Sequence, residues 1–289
     1  MTMQPPHIRR SIEALGRDLT PETLPAVFDI FQDEQQQIAS RFSAAATDLP
    51  YGPDTRHKLD VYTPQNNTSD AVPILVFVHG GGFLKGDKGS AENWKNANVG
   101  IMASRAGFMG MVINYRLAPD HEWPAGGEDV AAVVEWIKNN ASNYGGDPEK
   151  IILVGTSAGA VHLATYLKLQ PENNDVRGMV MLSGLYGITP LDERDTIYYG
   201  DHSLYPQRWP LEAVIETDLP IFLVCAEFDP PRFQAEFLGL LHRRLERHGA
   251  TPRATIVTGH NHYSLAMHLG TSDTRLSDEI VAFVEASCG

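Results

Sequence analysis

The sequence predicts an α/β fold, a mostly parallel sheet with helices on both faces and a small N-terminal cap, and three observations carry that prediction. From about Leu59 onward short apolar runs alternate with longer amphipathic ones, the rhythm of strand and helix in turn. Several of the short runs are unbroken Val/Ile/Leu, as strands buried on both faces require. Glycine and proline clusters close the longer runs, as at Asn143-Tyr144-Gly145-Gly146-Asp147-Pro148.

In chain order, residues 1–45 read as helical and Gln-rich, around Asp33-Glu34-Gln35-Gln36-Gln37, and supply the cap. Strands are expected over Lys58–Tyr62, Ile74–Val78, Phe108–Asn114, Ile151–Val154, Gly178–Leu182, Ile221–Ala226 and Ala254–Val257. Helices are expected over Val130–Asn140, Ala160–Leu169, Phe233–Arg247 and Thr274–Ala286, the third meeting Gly249 just past its end. Residues 187–218 are rich in Tyr, Pro and Trp without clean periodicity, and read as a lid or pocket insertion. With neither repeat nor linker, residues 1–289 read as one domain.

Charge excludes some functions. With 23 Lys+Arg against 36 Asp+Glu the formal charge is −13, and no basic cluster exists to displace counterions from nucleic acid. The same surface offers no pull towards anionic lipid headgroups. No apolar stretch reaches the roughly 18 residues of a membrane span, and the N-terminus lacks a signal peptide's apolar core. A cytoplasmic protein without nucleic-acid or membrane partners is expected, with homo-oligomerisation left open. Cys225 lies in an apolar run and makes no disulfide framework with Cys288.

Two glycine motifs follow predicted strands. Gly155-Thr156-Ser157-Ala158-Gly159 joins the run Ile151–Val154 to a helix-compatible stretch. A serine on such a sharp, strained turn is lifted clear of the sheet, and flanking side chains would collide there. Ser157 is therefore the expected nucleophile. His79-Gly80-Gly81-Gly82-Phe83 follows the run Ile74–Val78, and its glycines let backbone N–H groups converge on one point. Gly81, Gly82 and Ala158 are the expected oxyanion donors. The loop has neither a G-x-G-x-x-G pattern nor a Lys and Ser/Thr pair for phosphate.

A serine nucleophile needs a base and a group to orient it, in the chain order Ser, acid, His. The run Ile221–Ala226 ends in Glu227-Phe228-Asp229-Pro230-Pro231, and Ala254–Val257 ends in Thr258-Gly259-His260-Asn261-His262. Both lie past carboxyl ends of strands, where open α/β sheets place ligands. Asp229 is preferred over Glu227 because it lies further from the strand and is fixed by the Pro-Pro. His262 is preferred over His260, which is left as a pocket or supporting residue. A rival reading makes His260 and His262 a metal pair, but it lacks a third ligand and leaves the serine turn unexplained. No metal and no cofactor is expected.

With these motifs assembled, the chain resembles the hormone-sensitive-lipase-like carboxylesterase branch of the α/β-hydrolases. It is similar to the small members related to bacterial feruloyl/acetyl esterases and kynurenine formamidases. The resemblance rests on His79–Phe83 with Gly86-Asp87-Lys88, Asn114-Tyr115-Arg116-Leu117-Ala118-Pro119, Trp123-Pro124-Ala125-Gly126-Gly127-Glu128-Asp129, Gly155–Gly159, Asp229-Pro230-Pro231, and Gly259 before His262. It covers about residue 50 to the C-terminus. It implies an α/β-hydrolase fold and hydrolysis of a small-molecule ester through Ser157, His262 and Asp229. It also implies a structural role for Asp129 and for the Asn114–Pro119 segment. The glycine at position 82 favours an esterase over an arylformamidase-type amide hydrolase, which remains the alternative. A ligand-binding protein of the same fold without chemistry is the alternative of another class. Phe83, Leu84, Tyr205, Trp209 and Tyr263 are candidates to line the substrate pocket.

Overall fold

The computed structural model describes residues 3–65, 71–90, 92–172 and 175–289. In chain order the main elements are α1 (Pro6–Ala14), α2 (Thr23–Ala39), β1 (Ala46–Pro50), β2 (Lys58–Tyr62), β3 (Val72–Val78), α3 (Ala97–Arg105) and β4 (Met109–Ile113). There follow α4 (Ala125–Asn140), β5 (Gly146–Thr156), α5 (Ala158–Leu169), β6 (Gly178–Leu182), and the short helices α6 (Thr196–Tyr199), α7 (Tyr205–Arg208) and α8 (Leu211–Glu216). The chain closes with β7 (Ile221–Phe228), α9 (Pro231–His248), β8 (Arg253–Asn261), α10 (Ser264–Met267) and α11 (Arg275–Cys288).

The eight strands form one sheet in the order β1-β2-β4-β3-β5-β6-β7-β8. β2 pairs antiparallel with β1 and β4, and every other pairing is parallel. The apolar runs are buried on both faces because side chains alternate across the sheet. Ile74, Val76 and Val78 enter a core shared with α4, α5 and α9. Leu75 and Phe77 enter the core on the opposite face, with α1, α2, α3 and α11. Each expected strand is present. The edge strand β1 was not expected, since its mostly exposed sequence carries no apolar run.

The N-terminal segment is helical, as its composition suggested, and is tied to the body by side chains rather than by a sheet. Gln35 is buried and donates to the carbonyls of Met267 and Leu269 at 2.7 and 3.0 Å. Phe28 stacks on Trp94 at 4.7 Å, and Trp94 Nε1 donates to Gln32 Oε1 at 2.7 Å. The aromatic insertion is tied differently. The buried carboxylate of Glu236 accepts from the amides of Tyr186, Gly187, Ile188 and Thr189, at 2.7 to 3.3 Å, which fixes where that segment leaves the sheet. Among the described residues no helix is long and apolar enough to cross a membrane.

Candidate active site

β5 runs into Ser157, whose φ of 52° and ψ of −119° lie in a region costly for a side chain, and α5 starts at the next residue. The turn explains its glycines. A Cβ on Gly159 would lie 2.0 Å from the Val78 carbonyl oxygen, and one on Gly155 would lie 2.6 Å from Gly159. The helix can start this close to β3 only without those side chains, so the serine is held strained at the carboxyl edge of the sheet.

The glycine loop leaves β3 beside it. Gly81 has φ 141°, and a Cβ there would overlap the Lys85 carbonyl. His79 is the loop's internal prop. Its Nδ1 donates to Gly80 O at 2.7 Å, its ring stacks on Tyr115 at 4.3 Å, and Tyr115 donates to His79 O. Burial pushes its pKa down to about 4, so the ring is neutral. Gly81, Gly82, Thr156, Ser157 and His262 all face one cavity of about 440 Å³.

β7 and β8 bring up the remaining partners. His262 Nε2 lies 2.9 Å from Ser157 Oγ, and His262 Nδ1 lies 2.8 Å from Asp229 Oδ1. Asp229 is fully buried, and its other oxygen accepts from Ser183 Oγ at 2.5 Å and the Ala226 amide at 2.7 Å. Burial alone would raise its pKa, but the hydrogen bond and charge of His262, with those of Ser183 and Ala226, hold it below the ordinary carboxylate value. A carboxylate kept ionised on one side of an imidazole and a hydroxyl on the other is an arrangement able to move a proton off Ser157.

The structure also assigns the residues that competed for these places. Glu227 does not reach His262. It accepts from the Gly259 amide at 2.6 Å and from Arg9 at 3.2 Å, and so pins the end of β8. His260 is not in the cavity and makes no pair with His262. Its Nδ1 meets Ser264 Oγ and its Nε2 meets Asp273 Oδ2, both at 3.1 Å, and its ring stacks on His268 at 3.8 Å. Among the described residues, His260, His268 and Asp273 are the set that could approach a metal ion together. Arg275 already occupies Asp273 at 2.7 Å, and a guanidinium there opposes a second cation.

Three expected pocket residues are corrected. Phe83 turns away from the cavity and stacks on Tyr198 at 4.2 Å, while Tyr205 and Trp209 join the same buried aromatic cluster. Their apolar area is spent anchoring the 187–218 insertion against the body. Leu84 and Tyr263 do line the cavity. So do residues no motif marked: Leu19 and Pro21 between α1 and α2, Leu24 in the first turn of α2, Phe233 on α9, Met267 on α10, and Lys85, Lys95 and Arg194. Ser183 was also missed, although its position after β6 at the carboxyl edge was a readable signal. Asp129 holds Arg116 and His57, at 2.8 and 3.0 Å, away from the cavity.

Comparison with known proteins agrees with this fold. The family model described as BD-FAE matches residues 59–184. Esterase LipQ of Mycobacterium tuberculosis is 29% identical over 217 residues, 66% of this chain and 50% of the relative. The acetyl esterase of Salmonella schwarzengrund is 29% identical over 228 residues, 70% of this chain and 67% of the relative. The chain thus spans about half the length of some of the curated relatives it matches. The solved hyperthermophilic esterase of Pyrobaculum calidifontis superposes with a TM-score of 0.72 over 99% of both chains, at 20% identity, which speaks for the fold. By fold the chain is an α/β-hydrolase, and by motif and by these relatives it is similar to the hormone-sensitive-lipase-like carboxylesterases.

Proposed function

We propose that this protein is a serine carboxylesterase that hydrolyses short-chain acyl or aryl esters through an acyl-enzyme. The observation that carries the reading is the unbroken chain Ser157–His262–Asp229, at 2.9 and 2.8 Å, opening on a cavity beside a glycine loop. Relatives named as esterases support it.

Ser157 Oγ attacks the ester carbonyl while His262 Nε2 takes the hydroxyl proton. Negative charge gathers on the carbonyl oxygen, and the amides of Gly81, Gly82 and Ala158 receive it; each such donor is worth about 3 kcal/mol of barrier. His262 returns its proton to the departing alkoxide, leaving an acyl-serine and a free alcohol. Water then enters, His262 deprotonates it, and the second tetrahedral intermediate collapses to the acid, expelling Ser157 Oγ, which takes the proton back from His262. Asp229 stays ionised throughout and fixes the imidazole tautomer. Phe233, whose ring packs on the His262 ring at 4.2 Å, limits where the imidazole can swing.

A cavity of about 440 Å³ suits small esters better than long acyl chains. Hydrolysis of a 4-nitrophenyl series from acetate to dodecanoate, by wild type and Ser157→Ala side by side, tests the reading. Fast turnover of the short esters is expected, with kcat lower by about 10⁴-fold or more in the variant. No activity on any ester, or activity that survives the substitution, would overturn it.

A further inference from the structure

The cavity beside Ser157 is basic in an acidic protein. Lys85, Lys95 and Arg194 line it, and no acidic side chain does, although the chain carries a formal charge of −13. The three come from separate places: the end of the glycine loop, the turn before α3, and the 187–218 insertion. Among the described residues none of the three side chains has an ion-pair or hydrogen-bonding partner. Several acids close to them in sequence are taken. Asp192 and Asp195 bind Arg232 at 2.7 and 2.6 Å, and Asp87 accepts from the Gly89 amide and from Asn114.

Three unpaired cations gathered at one cleft repel one another and gain nothing from the fold. Lys95 is half-buried, and burial together with the charge of Lys85 pushes its pKa down. The Arg194 guanidinium stands directly over the glycine loop, 3.8 Å from where a Cβ on Gly82 would lie. The rest of the wall is apolar, with Leu19, Leu24, Phe233 and Met267. An occupant that satisfies both parts has an apolar body and one negative charge, and cations lining a cleft of low dielectric attract such a molecule selectively.

We propose that this site selects esters that carry a carboxylate, bound by Lys85, Lys95 and Arg194 while the ester carbonyl sits at Ser157. The inference deepens the esterase reading and rests on it. Two matched pairs of substrates test it, one with the charge on each side of the ester bond. They are 4-acetoxybenzoate against its methyl ester, and mono-4-nitrophenyl adipate against 4-nitrophenyl hexanoate.

Wild type is expected to favour the anionic member of at least one pair by about tenfold in kcat/KM, the worth of one charge-assisted hydrogen bond. That ratio should fall towards one in Lys85→Met/Lys95→Met and in Arg194→Met, survive in Lys95→Arg, and shrink as salt is raised. Reading the ratio within each variant removes losses of folding or of triad geometry. A ratio at or below one in both pairs, or equal losses on both members of a pair, would overturn the proposal while neutral turnover leaves the esterase reading standing. Failure to hydrolyse any of the four esters would overturn both.

Discussion

Two Ser–His–Asp chains hang on the end of β8, two residues apart. In one, Ser157 meets His262 at 2.9 Å and His262 meets Asp229 at 2.8 Å. In the other, Ser264 meets His260 and His260 meets Asp273, both at 3.1 Å. The residue types are the same and both aspartates are held below the ordinary carboxylate value: burial would raise them, and hydrogen bonds from His262 or from Arg275 and His260 prevail. What differs is the surroundings of the serine. Ser157 sits at positive φ, beside Gly81 and Gly82, facing a cavity. Ser264 is fully buried, accepts from the Asn261 amide at 2.8 Å, and has no room for a substrate. A hydrogen-bonded triad is therefore not by itself an active site: chemistry also needs a hydroxyl lifted towards open space and donors waiting for the developing oxyanion.

The comparison breaks first on the serines. Against the loss of about 10⁴-fold or more expected of Ser157→Ala, Ser264→Ala should keep kcat within about tenfold and lose instead roughly 1–3 kcal/mol of stability, the cost of unpaired buried partners. Denaturant titration beside steady-state kinetics separates the two. A Ser264→Ala enzyme as inactive as Ser157→Ala would mean that the sealed chain takes part in the reaction.

The aspartates give the next contrast. Asp229→Asn should lower kcat by about 10⁴-fold with the fold intact, because the amide favours the wrong imidazole tautomer. Asp273→Asn should act mainly on melting temperature, since Arg275 and His260 both lose a charged partner.

Acid sharpens the contrast from the stability side. Burial, with the nearby His260, pushes the pKa of His268 down to about 3, and burial does the same to His79, to about 4. A histidine whose folded pKa lies below its unfolded value stabilises the fold above the unfolded value, about 6.5. That stability is lost as pH falls from there towards the folded value. Each should cost of order 2–3 kcal/mol by pH 4. His268→Gln should therefore flatten the decline of unfolding free energy between pH 7 and 4; an unchanged slope would locate the acid sensitivity elsewhere.

The smallest effect expected is on the cap. Arg17 donates to the Asp229 carbonyl at 3.0 Å from a partly exposed position. Arg17→Met should lower kcat by roughly threefold, the worth of about 0.5–1 kcal/mol for such a bond. Asp229 itself stays paired, so a much larger loss would show that the cap does more than steady the loop.

The parts of this molecule that were legible in the sequence are those whose constraint is local. The strands of the parallel sheet announce themselves because both faces are buried. The Ser157 turn does so because Gly155 and Gly159 exclude side chains within five residues of each other. The aromatics of residues 187–218, and Phe83 against which they pack, misled for the opposite reason. Phe83, Tyr205 and Trp209 look like a pocket, but nothing in their spacing says whether a ring faces a cavity or another ring. The cavity wall was equally unreadable: residues near 20, 85, 95, 194 and 233 meet only when the cap, two loops and α9 close over the sheet.

By itself, then, the sequence determined the α/β layering, the glycine loop and the strained serine, since each follows from the conformations and volumes open to neighbouring residues. Which of Glu227 and Asp229 faces the imidazole, and which of His260 and His262 faces the serine, was decided by the register of β7 against β8. Residues two apart on or just beyond a strand differ by several ångströms in reach and, where the strand gives way to a turn, in direction. The gathering of three unpaired cations at the mouth was decided by tertiary structure alone, because long-range packing brings together charges that no local pattern links.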